Sequence, residues 1–209
     1  MELREALTQI AEIRQQMARG QVFRGYRSAT TACSGIIAVF AGLIQWACVP
    51  DPAAEPKRFV LVWLGAAVVS LIVVAAEMII RTQRSQSTVQ RQLSMLAVEQ
   101  FTPSLIAGGL LSWVFYEHVR ESLWMLPGLW MLVFALGVFA SARLLPRPVF
   151  IIGGYYLLVG ILTLVLTAGG LREGGPAWSL SPWLMAVTFG IGQTVTAAIL
   201  YWKLERSHE

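Results

Sequence analysis

Charged residues are scarce in this chain. Only 13% of its 209 residues are Asp, Glu, Lys or Arg, and 56% are hydrophobic. Soluble domains carry roughly 25% charged residues, so the composition places the chain outside that class. The length leaves no room for a sizeable soluble domain beside a membrane domain. The net charge of +4 does not indicate nucleic-acid binding, because the basic residues lie between apolar stretches.

Cysteine and histidine are also scarce, with two of each. Cys33 and Cys48 lie at the two ends of the first apolar stretch, where a continuous helix would separate them by about 22 Å, too far for a disulfide. His118 and His208 have no metal-ligand spacing to either cysteine. No Gly-rich phosphate loop follows a strand, and no serine in an apolar stretch has a histidine partner. We therefore expect no metal, no cofactor and no enzymatic activity.

Long apolar stretches are what the chain has instead. Residues 59–80 read FVLVWLGAAVVSLIVVAAEMII. About 20 apolar residues form a helix long enough to cross a bilayer, and lipid requires the backbone to satisfy its own hydrogen bonds. Five further stretches are similar, so the sequence predicts an all-α polytopic integral membrane protein with six transmembrane helices. The other spans are predicted at 30–48, 123–142, 148–167 and 183–202, with the third crossing between residues 93 and 119.

The third span has two alternative starts. It either begins near Leu93 and continues through Pro103 to Tyr116, or it begins at Pro103 with Thr102 as its N-cap. A span that starts at Pro103 is short for a bilayer, which favours the continuous helix with a kink.

The distribution of Lys and Arg predicts the orientation. Twelve of the 16 basic residues lie in the N-terminal segment, the loops after the second and fourth spans, and the tail. Because basic residues concentrate in cytoplasmic loops, both termini are predicted to be cytoplasmic in a cell membrane. The predicted domains are 1–27, a cytoplasmic helix and juxtamembrane segment, 28–203, the six-helix transmembrane domain, and 204–209, a cytoplasmic tail.

The N-terminal segment is predicted to form an amphipathic helix that ends near Gly20. Its apolar residues follow heptad spacing, which leaves three arrangements open: packing on its own loops or the membrane surface, formation of a homo-oligomer, or docking of a cytoplasmic protein. The residues available for docking are Leu3, Ile10, Ile13 and Met17. Arg24, Tyr26 and Arg27 then have the pattern of a membrane-surface anchor.

The first span carries a ridge of small residues and one amide. Ser34, Ala38 and Gly42 recur at four-residue spacing, which predicts the close approach of another helix. Gln45 lies near the outer end of the same span, where we expect it to be solvated.

Polar residues inside the spans form the candidate site. Ionisable groups in lipid are costly and are often functional. Glu77 either binds a solute or pairs with Arg81, four residues later on the same helical face. In a continuous third helix, Pro103 would leave the Glu99 carbonyl without its helical partner, next to two more polar side chains. The predicted site residues are Glu77, Glu99, Gln100, Thr102 and Gln193.

Two functions are compatible with these patterns. The first is a transporter or channel for a small solute or ion, alone or as an oligomer, with Glu77, Glu99 and Gln193 along the path. The second is a membrane scaffold or sensor without transport activity, which binds a cytoplasmic partner through its N-terminal helix. The intramembrane carboxylates favour the first function, and the heptad-like N-terminus favours the second.

Overall fold

The computed structural model describes residues 28–84, 88–142, 148–169 and 176–202. Within these ranges all regular secondary structure is helical, which confirms the all-α prediction. The predicted N-terminal amphipathic helix, the anchor residues Arg24, Tyr26 and Arg27, and the tail lie outside the described residues.

Six long helices form the described structure. They are α1 (Ser28–Cys48), α2 (Pro56–Arg84), α3 (Thr88–Glu117), α4 (Leu126–Ser141), α5 (Val149–Ala168) and α6 (Pro182–Leu200). A 3₁₀ helix (Arg120–Met125) leads into α4, and one helical turn (Pro176–Ser179) precedes α6. Proline stands at or next to the first position of α2, α4 and α6, where the missing N–H has no intrahelical partner to lose.

Five segments are long and apolar enough to cross a membrane. They are Ser28–Cys48, Pro56–Ile80, Arg120–Ser141, Val149–Ala168 and Pro182–Leu200. Many large apolar side chains on these segments are exposed, as contact with lipid requires. The described chain is therefore a helical membrane protein with several crossings. Helix α3, the predicted third span, is not among the five segments.

Helix α3 continues without a break past Pro103. Of the two starts that the sequence allows, the structure thus has the continuous helix, which begins at Thr88. The Thr102 hydroxyl does not cap a helix: it donates to the Val98 carbonyl oxygen, 2.6 Å away and one turn earlier.

Helices α1 and α6 run antiparallel and pack closely. Gly35 lies against Gln193, and Gly42, two turns later on α1, lies against the start of α6. A Cβ placed on Gly42 would lie 2.6 Å from the Ala186 Cβ and 3.2 Å from the Pro182 carbonyl oxygen. Any side chain at Gly42 would therefore push the two backbones apart.

The predicted small-residue ridge is confirmed at two of its three positions. Ala38 and Gly42 are buried. Ser34 is only half-buried, and its hydroxyl lies 3.4 Å from the Thr30 carbonyl oxygen of the same helix. The next residue, Gly35, makes the contact with α6 in its place.

Helix α4 packs between α3 and α5. A Cβ on Gly128 would lie 2.7 Å from the Leu164 side chain of α5, and a Cβ on Gly137 would lie 2.6 Å from the Phe101 ring of α3. The structure thus contains two closely packed groups, α1 with α2 and α6, and α3 with α4 and α5. Helices α5 and α6 pack on each other where the groups meet.

Candidate functional site

The first turns of α1 form a polar segment next to Glu77. Thr30 and Thr31 are 7% and 1% exposed, although this part of the chain is expected in a membrane. The Thr30 Oγ1 donates a hydrogen bond to the Glu77 carboxylate of α2. We call Thr30, Thr31, Ser34 and Gly35 the α1 polar segment.

Glu77 lies inside a segment that is apolar enough to cross a membrane, Pro56–Ile80. Its carboxylate is half-buried and accepts the Thr30 hydrogen bond across the α1–α2 interface. The sequence also allowed a pair with Arg81, whose side chain is outside the described part of the structure. This hydrogen bond joins α1 to α2 within an apolar part of the structure.

Gln193 of α6 reaches the other end of the α1 polar segment. A Cβ on Gly35 would lie 3.1 Å from the Gln193 Cβ and 3.6 Å from the Thr194 Oγ1. Thr30 and Gly35 are separated by about 7.5 Å along the helix axis. The structure therefore brings two of the predicted site residues, Glu77 and Gln193, to the same short piece of α1.

The predicted site residues of α3 lie elsewhere. Glu99 is exposed, and none of the hydrogen bonds or ion pairs among the described residues joins it to Glu77. The Gln100 Oε1 is buried and has no hydrogen-bond donor among the described residues. The expectation that Glu99, Gln100 and Thr102 form one binding site stays a prediction.

The prediction that Gln45 is solvated is wrong. Gln45 is 0% exposed, and its amide makes two hydrogen bonds of 2.7 Å. Its Nε2 donates to the Leu180 carbonyl oxygen before α6, and its Oε1 accepts from the Trp63 Nε1 of α2. Gln45 lies three residues after Gly42, on the face that packs against α6. This spacing is the feature of the sequence from which its burial could have been predicted.

An aromatic cluster fills the junction of α4, α5 and α6. The Tyr156 ring lies 4.8 Å from the Phe134 ring and 5.1 Å from the Phe189 ring, measured between centroids. Phe134 also contacts Phe101 of α3, at 5.6 Å. Tyr156 is 0% exposed, and its Oη lies against Gly192 of α6, next to Gln193. Tyr156 was not predicted from the sequence, because a tyrosine in an apolar stretch gives no sign of where its hydroxyl points.

The two cysteines lie on α1, and two threonines of α6 form hydrogen bonds within their own helix. Cys33 and Cys48 are exposed free thiols. The Thr194 and Thr196 hydroxyls donate to the carbonyl oxygens of Gly190 and Gly192, one turn earlier. Among the described residues there is no group of three metal-ligating side chains.

In comparisons with known proteins, no family model, curated protein or solved structure matches this chain.

Proposed function

We propose that this protein moves a small solute or ion across a cell membrane, and that the path runs along the α1 polar segment between Glu77 and Gln193. The observation that carries the proposal is the hydrogen bond from Thr30 to Glu77 inside a membrane-crossing segment. A carboxylate in a span is expensive in lipid, and such groups commonly mark substrate or ion pathways. No chemistry on a substrate is proposed.

The proposal includes six crossings with both termini in the cytoplasm. Helix α3 has 30 residues, about 45 Å of helix, and packs antiparallel on α4. That length is more than a bilayer core of roughly 30 Å requires. The excess of Lys and Arg in the N-terminal segment, the loops after α2 and α4, and the tail supports the orientation.

The orientation predicts which cysteine a membrane-impermeant maleimide reaches. Cys48 is the last residue of α1, and Cys33 lies near its start. In the proposed orientation Cys48 is therefore at the outer surface and Cys33 is about one turn from the inner surface. In intact cells we expect labelling of the Cys33→Ser variant, through Cys48, and none of Cys48→Ser. Permeabilised cells give the reference labelling. The reverse pattern would place the termini outside.

The transport proposal predicts that Glu77→Gln lowers flux. Proton and monovalent-cation flux into proteoliposomes should fall at least about tenfold, the effect of losing roughly 1.4 kcal/mol of barrier stabilisation. The amide keeps the shape of the side chain but loses its charge. Glu55→Gln is the matched control, because Glu55 lies outside the apolar helices and pairs with Arg58 at 2.9 Å.

Equal flux in the wild type and Glu77→Gln would remove Glu77 from the path. Glu99→Gln, measured in the same flux assay, tests whether α3 also borders the path. A reduction there would support the predicted site at Glu99, and unchanged flux would restrict the path to α1, α2 and α6.

A second candidate is a scaffold or sensor without transport activity. The aromatic cluster of Phe101, Phe134, Tyr156 and Phe189 favours it, because the rings fill the junction between α3 and α6. In that case the N-terminal helix binds a cytoplasmic protein or a second copy of the chain through Leu3, Ile10, Ile13 and Met17. Deletion of residues 1–19 should then abolish co-purification of the partner while the bundle stays folded, and retained co-purification would contradict this function.

A further inference from the structure

Helix α2 packs in the core of the protein at one end only. Its side chains that are buried there or pack against the core all come from residues 56–66: Phe59, Val60, Val62, Trp63, Leu64 and Ala66. From residue 67 to residue 80, a range that the structure describes in full, no side chain is buried and none belongs to a hydrophobic cluster. We call residues 56–66 the anchored part of α2 and residues 67–80 its peripheral part.

The anchored part is held by contacts with more than one helix. The Trp63 Nε1 donates to the Gln45 Oε1 of α1 at 2.7 Å. The Phe59 ring stacks on the Trp130 ring of α4, with 6.2 Å between the centroids and 9° between the planes. Movement of this part would break polar and aromatic contacts with two helices at once, so we expect it to stay in place.

The peripheral part is joined to α1 by the hydrogen bond from Thr30 to Glu77. Regions with few buried apolar contacts are the ones that open most easily. The apolar side chains of this part lose little when the helix moves, because lipid tails are as apolar as the side chains of a neighbouring helix. A hydrogen bond to a carboxylate is stronger than one between neutral groups, so this single bond has a large share in the position of the peripheral part.

We propose that the peripheral part of α2 is a gate, which tilts about the anchored part and is held closed against α1 by the hydrogen bond from Thr30 to Glu77. The peripheral part is about 21 Å long, so a tilt of about 15° moves its far end by about 5 Å. Thr30 belongs to the α1 polar segment, and the tilt therefore uncovers the end of the proposed path that lies at Glu77. The assignment rests on the proposed transport function and names how that path opens.

Distances between pairs of spin labels measure this movement in the full chain in liposomes, with both native cysteines replaced by serine. In the peripheral pair, labels at Ile79 and Ile151 join the end of the peripheral part to the first turn of α5. In the anchored pair, labels at Leu61 and Val165 join the anchored part to the last turn of α5. All four side chains are exposed, so the labels do not disturb the core.

Thr30→Val removes the hydrogen-bond donor and leaves the charge of Glu77 in place. We expect a longer distance in the peripheral pair, whose ratio to the shorter one rises at least about tenfold over the wild type, while the anchored pair is unchanged. Thr30→Ser keeps a hydroxyl and should restore the wild-type distances. Thr163→Val is the matched control, because this buried threonine of α5 donates to the Val159 carbonyl oxygen of its own helix at 2.8 Å.

Three results would overturn the gate. The first is a peripheral pair with identical distances in the wild type and Thr30→Val. The second is an equal change in the anchored pair, since α2 would then move as a whole. The third is the same change in Thr163→Val, which would make the effect one of general loosening rather than of the bond to Glu77.

Proton and potassium flux into proteoliposomes, measured on the same variants, separates the gate from the transport function. Longer distances in Thr30→Val together with raised flux would support both. Longer distances without flux in any variant would support the movement of α2 and contradict the transport function. Flux in the wild type with unchanged distances in Thr30→Val would contradict the gate and leave the transport function standing.

Discussion

Replacement of Gly42 by leucine will prevent α1 from packing on α6. Even a Cβ at this position would lie 2.6 Å from the Ala186 Cβ, and leucine adds three further carbon atoms in the same direction. Added methylenes in a packed interior cost about 1–3 kcal/mol, and here the helix backbones themselves must separate. We expect a loss of at least about 3 kcal/mol of stability, seen as aggregated protein in size-exclusion chromatography after extraction in mild detergent.

Gly65→Leu is the matched control for this substitution. Gly65 lies inside α2, in the first half of the helix, and a Cβ placed there has no neighbour within 4 Å. Leucine favours helix over glycine by up to about 1 kcal/mol, so the control should elute as the wild type does and melt at the same or a higher temperature. If Gly42→Leu behaves like Gly65→Leu, the contact between α1 and α6 described above is incorrect.

Replacement of Gln45 by leucine will have the second largest effect. The substitution removes the donor to the Leu180 carbonyl oxygen and the acceptor of the Trp63 N–H together. Each group that remains unpaired in a buried position costs about 1–3 kcal/mol, so the expected loss is roughly 2–6 kcal/mol. The measurement is thermal or denaturant unfolding in detergent, compared with the wild type.

A second substitution tests the cause of that loss. Trp63→Phe removes the indole N–H, so that in the double variant Gln45→Leu/Trp63→Phe one of the two orphaned groups is gone. The double variant should therefore be less destabilised than the sum of the two single variants. Strictly additive losses would show that the bond between Gln45 and Trp63 contributes nothing beyond packing. Thr194→Val, at an exposed position with a hydrogen bond inside its own helix, should leave stability near that of the wild type.

Much of the architecture follows from local sequence. The long apolar stretches predict helices that satisfy their own backbone hydrogen bonds, and the structure has helices at all six predicted places. The small residues of the first span predict a close helix contact, which Ala38 and Gly42 confirm. The helix through Pro103 is continuous, as length favoured. Each of these features depends on the order of neighbouring residues along one helix.

The candidate site was only partly predictable, because its contacts join residues that are far apart in the sequence. Glu77 and Gln193 stand out in the sequence because polar groups are costly in a span, but residues more than a hundred positions apart give no sign that they share the α1 polar segment. The hydrogen-bond acceptor of Gln45 could not be predicted, because the Leu180 carbonyl is a backbone atom of a kind that every residue possesses. No pattern of side chains in the sequence indicates such a backbone acceptor.

The sequence by itself determined that this protein is a helical membrane protein, where its helices lie, and which glycines and polar residues are unusual in lipid. Composition and periodicity suffice for these features, because the bilayer imposes the same requirement on every helix. Only the tertiary structure decided that Thr30 binds Glu77, that Gln45 joins α1 to α2 and to the residues just before α6, and that the Tyr156 hydroxyl lies against Gly192. These contacts depend on the rotation and depth of each helix relative to its neighbours, which packing between distant segments sets.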